Sequence, residues 1–355
     1  MESLDVLVSE SEKMMSCLMK APELLPSKFW EEINRKNLIM LEREGIDNFK
    51  RTVSQNYYNW LITGEHPQID FLRSKHPILS KFIRFFIAYE KQVKVMSILE
   101  DEAFFLTPKQ MATYAEFVGL LWIQMKRLDK RGLAERVHEP DTGNPIQIHF
   151  KLPFLGKQLI SQDLANSIIE CDTLADLAAQ CYEPKVRIAE LGAGSGRLAH
   201  VFTATQNVQY YIFDIPPALA LAQSYLRHIF PDKKIACFKD YVDFEDIESG
   251  IIGCDIAFFT SNQMSIFPDR YFNVMSTIST LPEMTPEQVE YFIHEFDRLS
   301  SNFIFIKQWL EEWENPQDGT MMHKDDYYFS KDNWELVIDK VDPTNPQFFN
   351  QIWRR

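Results

Sequence analysis

The chain has 355 residues, of which 45% are hydrophobic and 25% charged, and its formal net charge at pH 7 is -14. This length predicts two domains, or one domain with a large extension, and the composition is typical of a folded globular protein. The excess of acidic residues argues against nucleic-acid binding, because phosphate groups require clustered Lys and Arg. We therefore expect a small-molecule substrate and no nucleic-acid partner.

The sequence also limits the compartment and the metal content. The N-terminal segment is acidic and lacks the basic start and apolar centre of a signal peptide, and no apolar run is long enough to span a membrane. The five cysteines are scattered without a C-x-x-C pair, and the eight histidines show no zinc-ligand spacing. We expect a cytoplasmic protein with no membrane partner and no structural metal.

The N-terminal half is predicted to be helical. Apolar residues recur at helical spacing between 78 and 89, and they are Ile78, Phe82, Phe85, Phe86 and Tyr89. A capping box from Thr107 to Gln110, with Pro108 at the first helical position, predicts a helix over 108–128. Its apolar stripe would pack in the core or against a second copy of the chain. We therefore predict an all-α domain over 1–150 that serves as a substrate lid or as the contact of a homodimer.

The sequence predicts a domain boundary within 138–157. Three prolines and two glycines within 138–157 interrupt helical structure, so we place a helical connector over 151–183 and a second domain over 184–355. Strands and helices alternate in this last part, which predicts a parallel sheet with right-handed crossovers. The predicted strands are 186–191, 209–214, 256–261, 271–278 and 302–307.

The most informative stretch is the first of these strands and the turn that follows it. An acidic residue, Glu190, precedes three alternate glycines, Gly192, Gly194 and Gly196. Glycine permits a tight turn and a close ligand, and the free N–H groups of the next helix would face that ligand. A dinucleotide site would space its glycines G-x-G-x-x-G. The observed G-x-G-x-G resembles motif I of the class I S-adenosylmethionine-dependent methyltransferases, which implies that Glu190 lies near the methionine amino group of the cofactor.

Five further residues are candidates for cofactor binding, namely Asp214, Ile215, Asn262, Gln263 and Gln162. Asp214 ends the second strand, directly before Ile215, at a position where a carboxylate can bind ribose hydroxyls. The alternative is that Asp214 is only an acid favoured at the start of a helix. Asn262 and Gln263 follow the third strand and could bind an adenine edge, or they could form an ordinary polar turn. Gln162, at the start of the connecting helical segment, could cover the cofactor carboxylate, or belong to a helix cap.

Two residues are candidates for the base of a methyl transfer to a hydroxyl group, which needs an aligned oxygen and a proton acceptor. Glu283 follows the fourth strand and precedes a second capping box, Thr285 to Gln288, that predicts a helix. It could instead be an acid near a helix start, or bind a substrate hydroxyl. His323 lies in a polar loop after the fifth strand, where a solvent-exposed histidine is the common alternative.

Several segments together are similar to the bacterial sugar O-methyltransferases. They are Glu190 to Gly196, Phe213 to Pro217, Ser261 to Gln263, Leu281 to Gln288 and Ile306 to Trp309. The resemblance runs from about residue 161 to the C-terminus. It implies an α/β fold with a Rossmann-like, doubly wound class I methyltransferase sheet, preceded by the all-α domain, and S-adenosylmethionine as cofactor. It also implies an edge hairpin from 334–339 and 347–353.

The same resemblance implies the reaction, which is methyl transfer to a hydroxyl of a sugar, glycoside or other small natural product. A more distant similarity to plant-type and polyketide O-methyltransferases departs at one point, because those enzymes place a catalytic His after the fourth strand. This chain has Ser279 to Glu283 there. Two other hypotheses stay open: an NAD-dependent oxidoreductase, and a cofactor-binding interaction module that has lost catalysis.

Overall fold

The computed structural model describes residues 1–57, 61–96, 102–151, 158–310, 313–314, 321–322 and 324–355. The α-helices in these residues are α1 Leu4–Leu18, α2 Lys28–Glu44, α3 Pro67–Lys75, α4 Leu79–Phe86, α5 Pro108–Leu128, α6 Gln162–Ala178, α7 Arg197–Thr205, α8 Ala218–Ile229, α9 Phe244–Ile251 and α10 Pro286–Leu299. The strands are β1 Ile87–Tyr89, β2 Lys94–Val95, β3 Phe104–Phe105, β4 Ile148–Phe150, β5 Val186–Leu191, β6 Val208–Asp214, β7 Ile235–Ala236, β8 Ile256–Thr260, β9 Phe272–Ile278, β10 Ser300–Trp309, β11 Trp313–Glu314, β12 Met321–Met322, β13 Glu335–Val341 and β14 Phe348–Arg354.

The central sheet of the described residues has the spatial order β13-β14-β10-β9-β5-β6-β8-β7. Its strands are parallel from β10 to β7, whereas β14 runs antiparallel to both β10 and β13. Taken in chain order, the long parallel strands stand as 3-2-1-4-5, which is the order of a Rossmann-like, doubly wound sheet. The predicted fold class and the edge hairpin are confirmed.

The sheet order determines where a ligand can bind. From the central strand β5 the chain winds first toward β6 and β8 and then crosses to β9 and β10 on the other side. Ligands of such sheets bind beyond the carboxyl ends of the strands at this reversal. Glu190, near the end of β5, pairs with Ile212 of β6 and Ser276 of β9. It therefore lies at the reversal itself.

The parallel strands are apolar because helices cover both faces of the sheet. Every residue of β8 and of β9 is buried. The predicted strand positions agree with the structure within two residues, and the short edge strand β7 was not predicted.

Helix α5 confirms the helix predicted from the Thr107 capping box. The Thr107 backbone N–H donates to Gln110 Oε1, and the Gln110 backbone N–H donates to the Thr107 hydroxyl, as a capping box requires. The helix is buried over most of its circumference, including Met111, Val118 and Trp122 of the predicted apolar stripe. The stripe therefore packs in the core, the first of the two alternatives.

Helix α4 ends earlier than the apolar spacing between 78 and 89 indicates, because the chain continues as β1. Ile83 of this helix is buried and packs against α5, where a Cβ on Gly119 would lie 3.3 Å from Ile83 Cγ1. Ile78, Phe82 and Phe85 remain 74%, 50% and 71% exposed. The helical N-terminal part also contains two small antiparallel sheets, β1 with β4 and β2 with β3.

The N-terminal helices pack directly on the sheet domain. Helix α1 contacts α8 and β8, and the Cys17 thiol lies 3.4 Å from the Thr260 hydroxyl. One apolar cluster contains buried side chains from Leu7 to Ile352 and so joins both parts of the chain. The division into 1–150, 151–183 and 184–355 stays a prediction.

No helix within the described part of the chain is both long and apolar enough to cross a membrane.

Candidate cofactor and acceptor site

A cavity of about 900 Å³ lies beyond the carboxyl ends of β5, β6, β8 and β9. The glycine turn, the end of β6 and the segment after β9 form its floor, while residues from the N-terminal part cover it. The covering residues are Leu24, Leu25, Pro26, Ser27, Trp30 and Tyr57. The site is therefore built jointly by the sheet and by the N-terminal part.

The glycine turn that follows β5 has a backbone that only glycine adopts readily. Gly192, Gly194 and Gly196 have φ angles of +80°, +56° and +79°. A Cβ on Gly192 would lie 2.1 Å from Thr280 Oγ1, and one on Gly194 would lie 2.9 Å from Tyr57 Cβ. The turn is therefore in close contact with Thr280 and Tyr57, so packing within the protein also requires glycine there.

The N–H groups of these glycines are used within the protein. Gly192 donates to the Phe213 carbonyl at 2.9 Å, Gly194 to Asp214 Oδ2 at 2.7 Å, and Gly196 to the Ala193 carbonyl at 3.0 Å. The sequence predicted that free N–H groups of the helix after the turn face the ligand, and these glycine bonds do not test that prediction. The N–H groups of the glycines themselves are bound by the Asp214 carboxyl and two backbone carbonyls.

Two of the predicted acids lie side by side in the cavity wall and are almost fully buried. Glu190 Oε2 accepts a hydrogen bond from the Tyr210 hydroxyl at 2.8 Å, and burial raises the pKa of Glu190 to about 8. Asp214 accepts from the Gly194 and Ile215 N–H groups, each at 2.7 Å. Burial raises the pKa of Asp214 to about 7, although these backbone hydrogen bonds act in the opposite direction.

Glu283 is the third acid of the cavity. It lies in a 3-10 turn, Leu281–Glu283, between β9 and α10. The Trp30 indole N–H donates to Glu283 Oε2 at 3.0 Å. Burial raises the pKa of Glu283 to about 8, and the nearby charge of Asp214 acts in the same direction. The carboxyl group is thus held by a residue of the N-terminal part.

Helix α10 connects this acid to the covering segment. Its predicted capping box is confirmed by the bonds between Thr285 and Gln288. The Gln288 side chain also donates to the carbonyls of Glu23 and Leu25, at 3.1 and 2.8 Å. These two bonds fix the cover against the helix that follows Glu283.

Trp30 and Tyr57 form an aromatic wall that the sequence did not indicate. Their rings stack at a centroid distance of 5.9 Å and an interplanar angle of 20°. The Tyr57 hydroxyl accepts a hydrogen bond from Asn37 Nδ2 at 2.8 Å, which fixes the ring. Nothing in the spacing of the two residues distinguishes them from the other aromatic residues of the helical half.

The structure places Asn262 and Gln263 outside the cavity wall. Gln263 Oε1 accepts from the Thr260 N–H at 3.1 Å, and Gln263 Nε2 donates to the Lys239 carbonyl at 2.9 Å. Asn262 Nδ2 donates to the Cys17 carbonyl at 3.1 Å. Both amides therefore hold the turn and α1 in place, as the polar-turn alternative proposed.

Ile215 lines the cavity next to Asp214, whereas Gln162 lies away from the described wall. Gln162 is the first residue of α6, is buried, and does not line the cavity. Ser161 caps this helix by accepting from the Leu164 N–H at 3.0 Å, as the alternative proposed. His323 lies outside the residues that the structure describes.

The charges around the cavity favour a cationic ligand. Its described wall contains three carboxyl groups and one guanidinium, that of Arg197. Arg197 is bound to the buried Glu170 at 2.5 Å and to the Ser167 hydroxyl at 3.0 Å. Burial raises the pKa values of the three acids, and a bound cation would favour their ionised forms.

The comparisons with known proteins add similar structures at low identity. No family model and no curated protein matches the sequence. The structure is similar to magnesium protoporphyrin IX methyltransferase from Synechocystis PCC 6803, crystallised with bound SAH, at 12% identity and a TM-score of 0.39, covering 55% of this chain and 86% of that one. A SAM-dependent methyltransferase from Aquifex aeolicus is similar at 12% identity and a TM-score of 0.33, covering 51% of this chain and 87% of that one. One from Leishmania major is similar at 15% identity and a TM-score of 0.36, covering 53% of this chain and 72% of that one.

Because these identities and scores are low, the fold assignment rests on the observed sheet order and the function on the site.

Proposed function

We propose that this chain is an S-adenosylmethionine-dependent O-methyltransferase that acts on a hydroxyl of a sugar, glycoside or other small natural product. The observation that carries the proposal is the pair of buried acids, Glu190 and Asp214, beside an alternate-glycine turn at the reversal point of the sheet. Glu283 lines the same cavity, and we assign it to the acceptor. Each of these three acids receives a separate role.

The polar groups that line the cavity fit S-adenosylmethionine better than NAD. A dinucleotide site holds a diphosphate with free N–H groups of its glycine turn, whereas here those glycine N–H groups bind acceptors in the protein. A cofactor that carries a sulfonium and an ammonium group would favour the ionised forms of the three carboxyl groups, whereas a diphosphate would disfavour them. When bound, this cofactor would supply an electrophilic methyl group. We assign Glu190 to its ammonium group and Asp214 to its ribose hydroxyls.

Asp214 can fill this role although both of its oxygens already accept backbone hydrogen bonds. Each carboxylate oxygen has two lone pairs and can accept a second hydrogen bond. The bonds from Gly194 and Ile215 therefore orient the carboxyl group without blocking it.

We assign Glu283 as the general base for the acceptor hydroxyl. A base must lie within hydrogen-bond reach of the proton that it accepts and have a pKa near the working pH. The pKa of about 8 meets the second condition, and the Trp30 hydrogen bond orients the carboxyl group. Ionised Glu283 would accept the hydroxyl proton while the oxygen is methylated, and the aromatic cover would exclude water from the reacting atoms. His323 is the alternative base.

Transfer of labelled methyl groups to a panel of monosaccharides, glycosides and phenols tests this function. We expect labelled product from at least one hydroxylated acceptor, and Glu283→Gln should lower its formation about a hundredfold or more while SAH affinity is unchanged. Binding of SAH without any product would instead favour a cofactor-binding interaction module. Undiminished product in Glu283→Gln would assign the base to another residue.

The homodimer through the helical half also remains a proposal. Its support is a set of exposed apolar side chains, Ile78 just before α4 and Phe82 and Phe85 on that helix, since exposed apolar patches commonly mark interaction sites. Sedimentation of the wild type and of Phe82→Glu tests it. A wild-type dimer that becomes a monomer in the variant supports the contact, and identical masses exclude it.

A further inference from the structure

Ser279, the residue that directly follows β9, has a backbone conformation that is unusual for serine. Its φ angle is +54°, in the left-handed region that glycine adopts readily and most other residues adopt only at a cost. The three glycines of the turn after β5 occupy this region without that cost. A strained residue persists only where its surroundings hold it, and such residues are concentrated at functional sites. A serine at this position therefore needs an explanation.

The neighbouring strands hold Ser279 in this conformation. Its N–H donates to the Lys307 carbonyl of β10 at 2.8 Å, and the next N–H, that of Thr280, donates to Gln308 Oε1 at 3.0 Å. On the other side, Thr280 packs against the glycine turn, where a Cβ on Gly192 would lie 2.1 Å from Thr280 Oγ1. Contacts on both sides of β9 thus fix the backbone, and with it the position of the Ser279 side chain.

The Ser279 hydroxyl is a polar group that this arrangement leaves available. Ser279 lines the cavity and is 8% exposed, and its hydroxyl has no hydrogen-bond partner among the described residues. The Ser261 hydroxyl also lacks a partner but is fully enclosed, whereas the Ser279 oxygen retains accessible surface. The neighbouring Thr280 hydroxyl donates to the Ile278 carbonyl at 3.0 Å. A molecule in the cavity can therefore reach the Ser279 hydroxyl and become its partner.

The sheet order places Ser279 on the side of the cavity that is left for the acceptor. Glu190 and Asp214, which we assign to the cofactor, lie at the ends of β5 and β6, whereas β9 lies on the opposite side of β5 from β6. The Glu283 N–H donates to the Thr280 carbonyl at 3.3 Å and so closes a turn directly after Ser279. Ser279 and the proposed base therefore flank one short turn, and both line the cavity.

We propose that the Ser279 hydroxyl binds the acceptor oxygen and fixes the direction in which it attacks. A hydroxyl oxygen carries a hydrogen and two lone pairs besides its carbon substituent. When its proton is directed at Glu283 and one lone pair accepts from Ser279, the second lone pair is left to form the bond to the methyl carbon. The proton passes to Glu283, and Ser279 keeps its own hydrogen. This role of Ser279 rests on the proposed methyl transfer.

Two substitutions separate the hydroxyl of Ser279 from its backbone strain. Ser279→Ala removes the hydroxyl and keeps the strain, whereas Ser279→Gly removes both. For the acceptor that the wild type methylates, we expect each variant to lower kcat/KM about tenfold and to bind SAH as the wild type does. Tm should nevertheless be about 1–3 °C higher in Ser279→Gly than in Ser279→Ala. Activity would thus follow the hydroxyl and stability would follow the backbone.

Arg270 provides the matched control. It is exposed, has a φ angle of +57°, and lies just before the opposite end of β9. Tm of Arg270→Gly should exceed that of Arg270→Ala by a similar amount, and both should keep the wild-type kcat/KM. The rise of kcat/KM with pH should keep its position in Ser279→Ala, because Glu283 Oε2 is bound by Trp30 and the Ser279 hydroxyl does not bond to Glu283.

The results that would overturn this role differ from those that would refute the proposed function. Equal kcat/KM in the wild type and Ser279→Ala would exclude the role while methyl transfer stands. A shifted pH profile in Ser279→Ala would place its action on the base, and weaker SAH binding would assign its hydroxyl to the cofactor. Equal Tm values of Ser279→Gly and Ser279→Ala would remove the strain from which the inference starts. Absence of product from the wild type with every acceptor would refute the function, and the role of Ser279 with it.

Discussion

The hydrogen bond from Trp30 to Glu283 predicts how the rate depends on pH. At a pKa of about 8, Glu283 is ionised in only about one molecule in ten at pH 7, so kcat/KM should rise with pH and level off above about pH 9. Trp30→Phe keeps an aromatic ring against Tyr57 but removes the N–H that stabilises the ionised carboxylate. The pKa of Glu283 should therefore increase in this variant.

The size of that shift follows from the strength of the bond. A hydrogen bond to a charged group contributes about 1.5–3 kcal/mol, and a pKa unit corresponds to about 1.4 kcal/mol. Because Glu283 is partly exposed, we take the lower end and expect an increase of about one unit. At pH 7 kcat/KM should then fall about tenfold, and the difference should narrow toward about pH 10.

The pH–rate profile of kcat/KM in the wild type, Trp30→Phe, Glu283→Gln and the double variant checks this account. In Glu283→Gln the rise with pH should be absent, and adding Trp30→Phe should not change the shape of the profile. A uniform loss of rate in Trp30→Phe with an unmoved rise would refute the reasoning, because Trp30 would then act on the geometry of the site and not on the proton.

Three other outcomes follow from the structure. Gly192→Ala should destabilise the protein by about 3 kcal/mol or more in chemical denaturation, because the new Cβ would overlap Thr280. The control is Gly132→Ala, where φ is +63° and no atom lies within 4 Å, and it should cost only about 1–2 kcal/mol. Equal losses of stability in the two variants would contradict the predicted overlap. Because the folded-state pKa of Glu190 is raised, its contribution to stability is lost as pH rises toward about 8, so Tm of the free protein should fall over that range. Glu190→Gln should reduce this fall by roughly 6 °C. It should also weaken SAH binding about tenfold or more in calorimetry. A pH dependence of Tm equal to that of the wild type would contradict the assignment. His323→Ala should leave the pH profile unchanged, whereas loss of the rise with pH in that variant would make His323 the base.

Local sequence patterns were sufficient to predict the central sheet and part of the site. The strand ending in Glu190 and its glycines, the second strand ending in Asp214, and the capping box at Thr285 each involve residues close together in the chain. Their structures depend on backbone φ angles, strand burial and helix caps, which neighbouring residues largely determine. These features were therefore predicted in their correct positions.

The cover of the cavity could not be predicted in this way. Trp30 reaches Glu283 across 253 positions of sequence, and Tyr57 packs on Gly194 from a different segment. Such contacts depend on how the N-terminal part packs on the sheet, for which the sequence contains no periodic signal. Gln263 looked like a ligand contact for a different reason, because the local capping box that it forms with Thr260 was not recognised in the sequence.

Isothermal titration of the full-length chain with SAH and with NAD tests the central claim most directly. The account predicts saturable binding of SAH at one site per chain, weakened in Glu190→Gln, and no binding of NAD even in large excess. Saturable binding of NAD without binding of SAH would contradict it, because the three carboxyl groups and the bonded glycine turn would then hold a diphosphate.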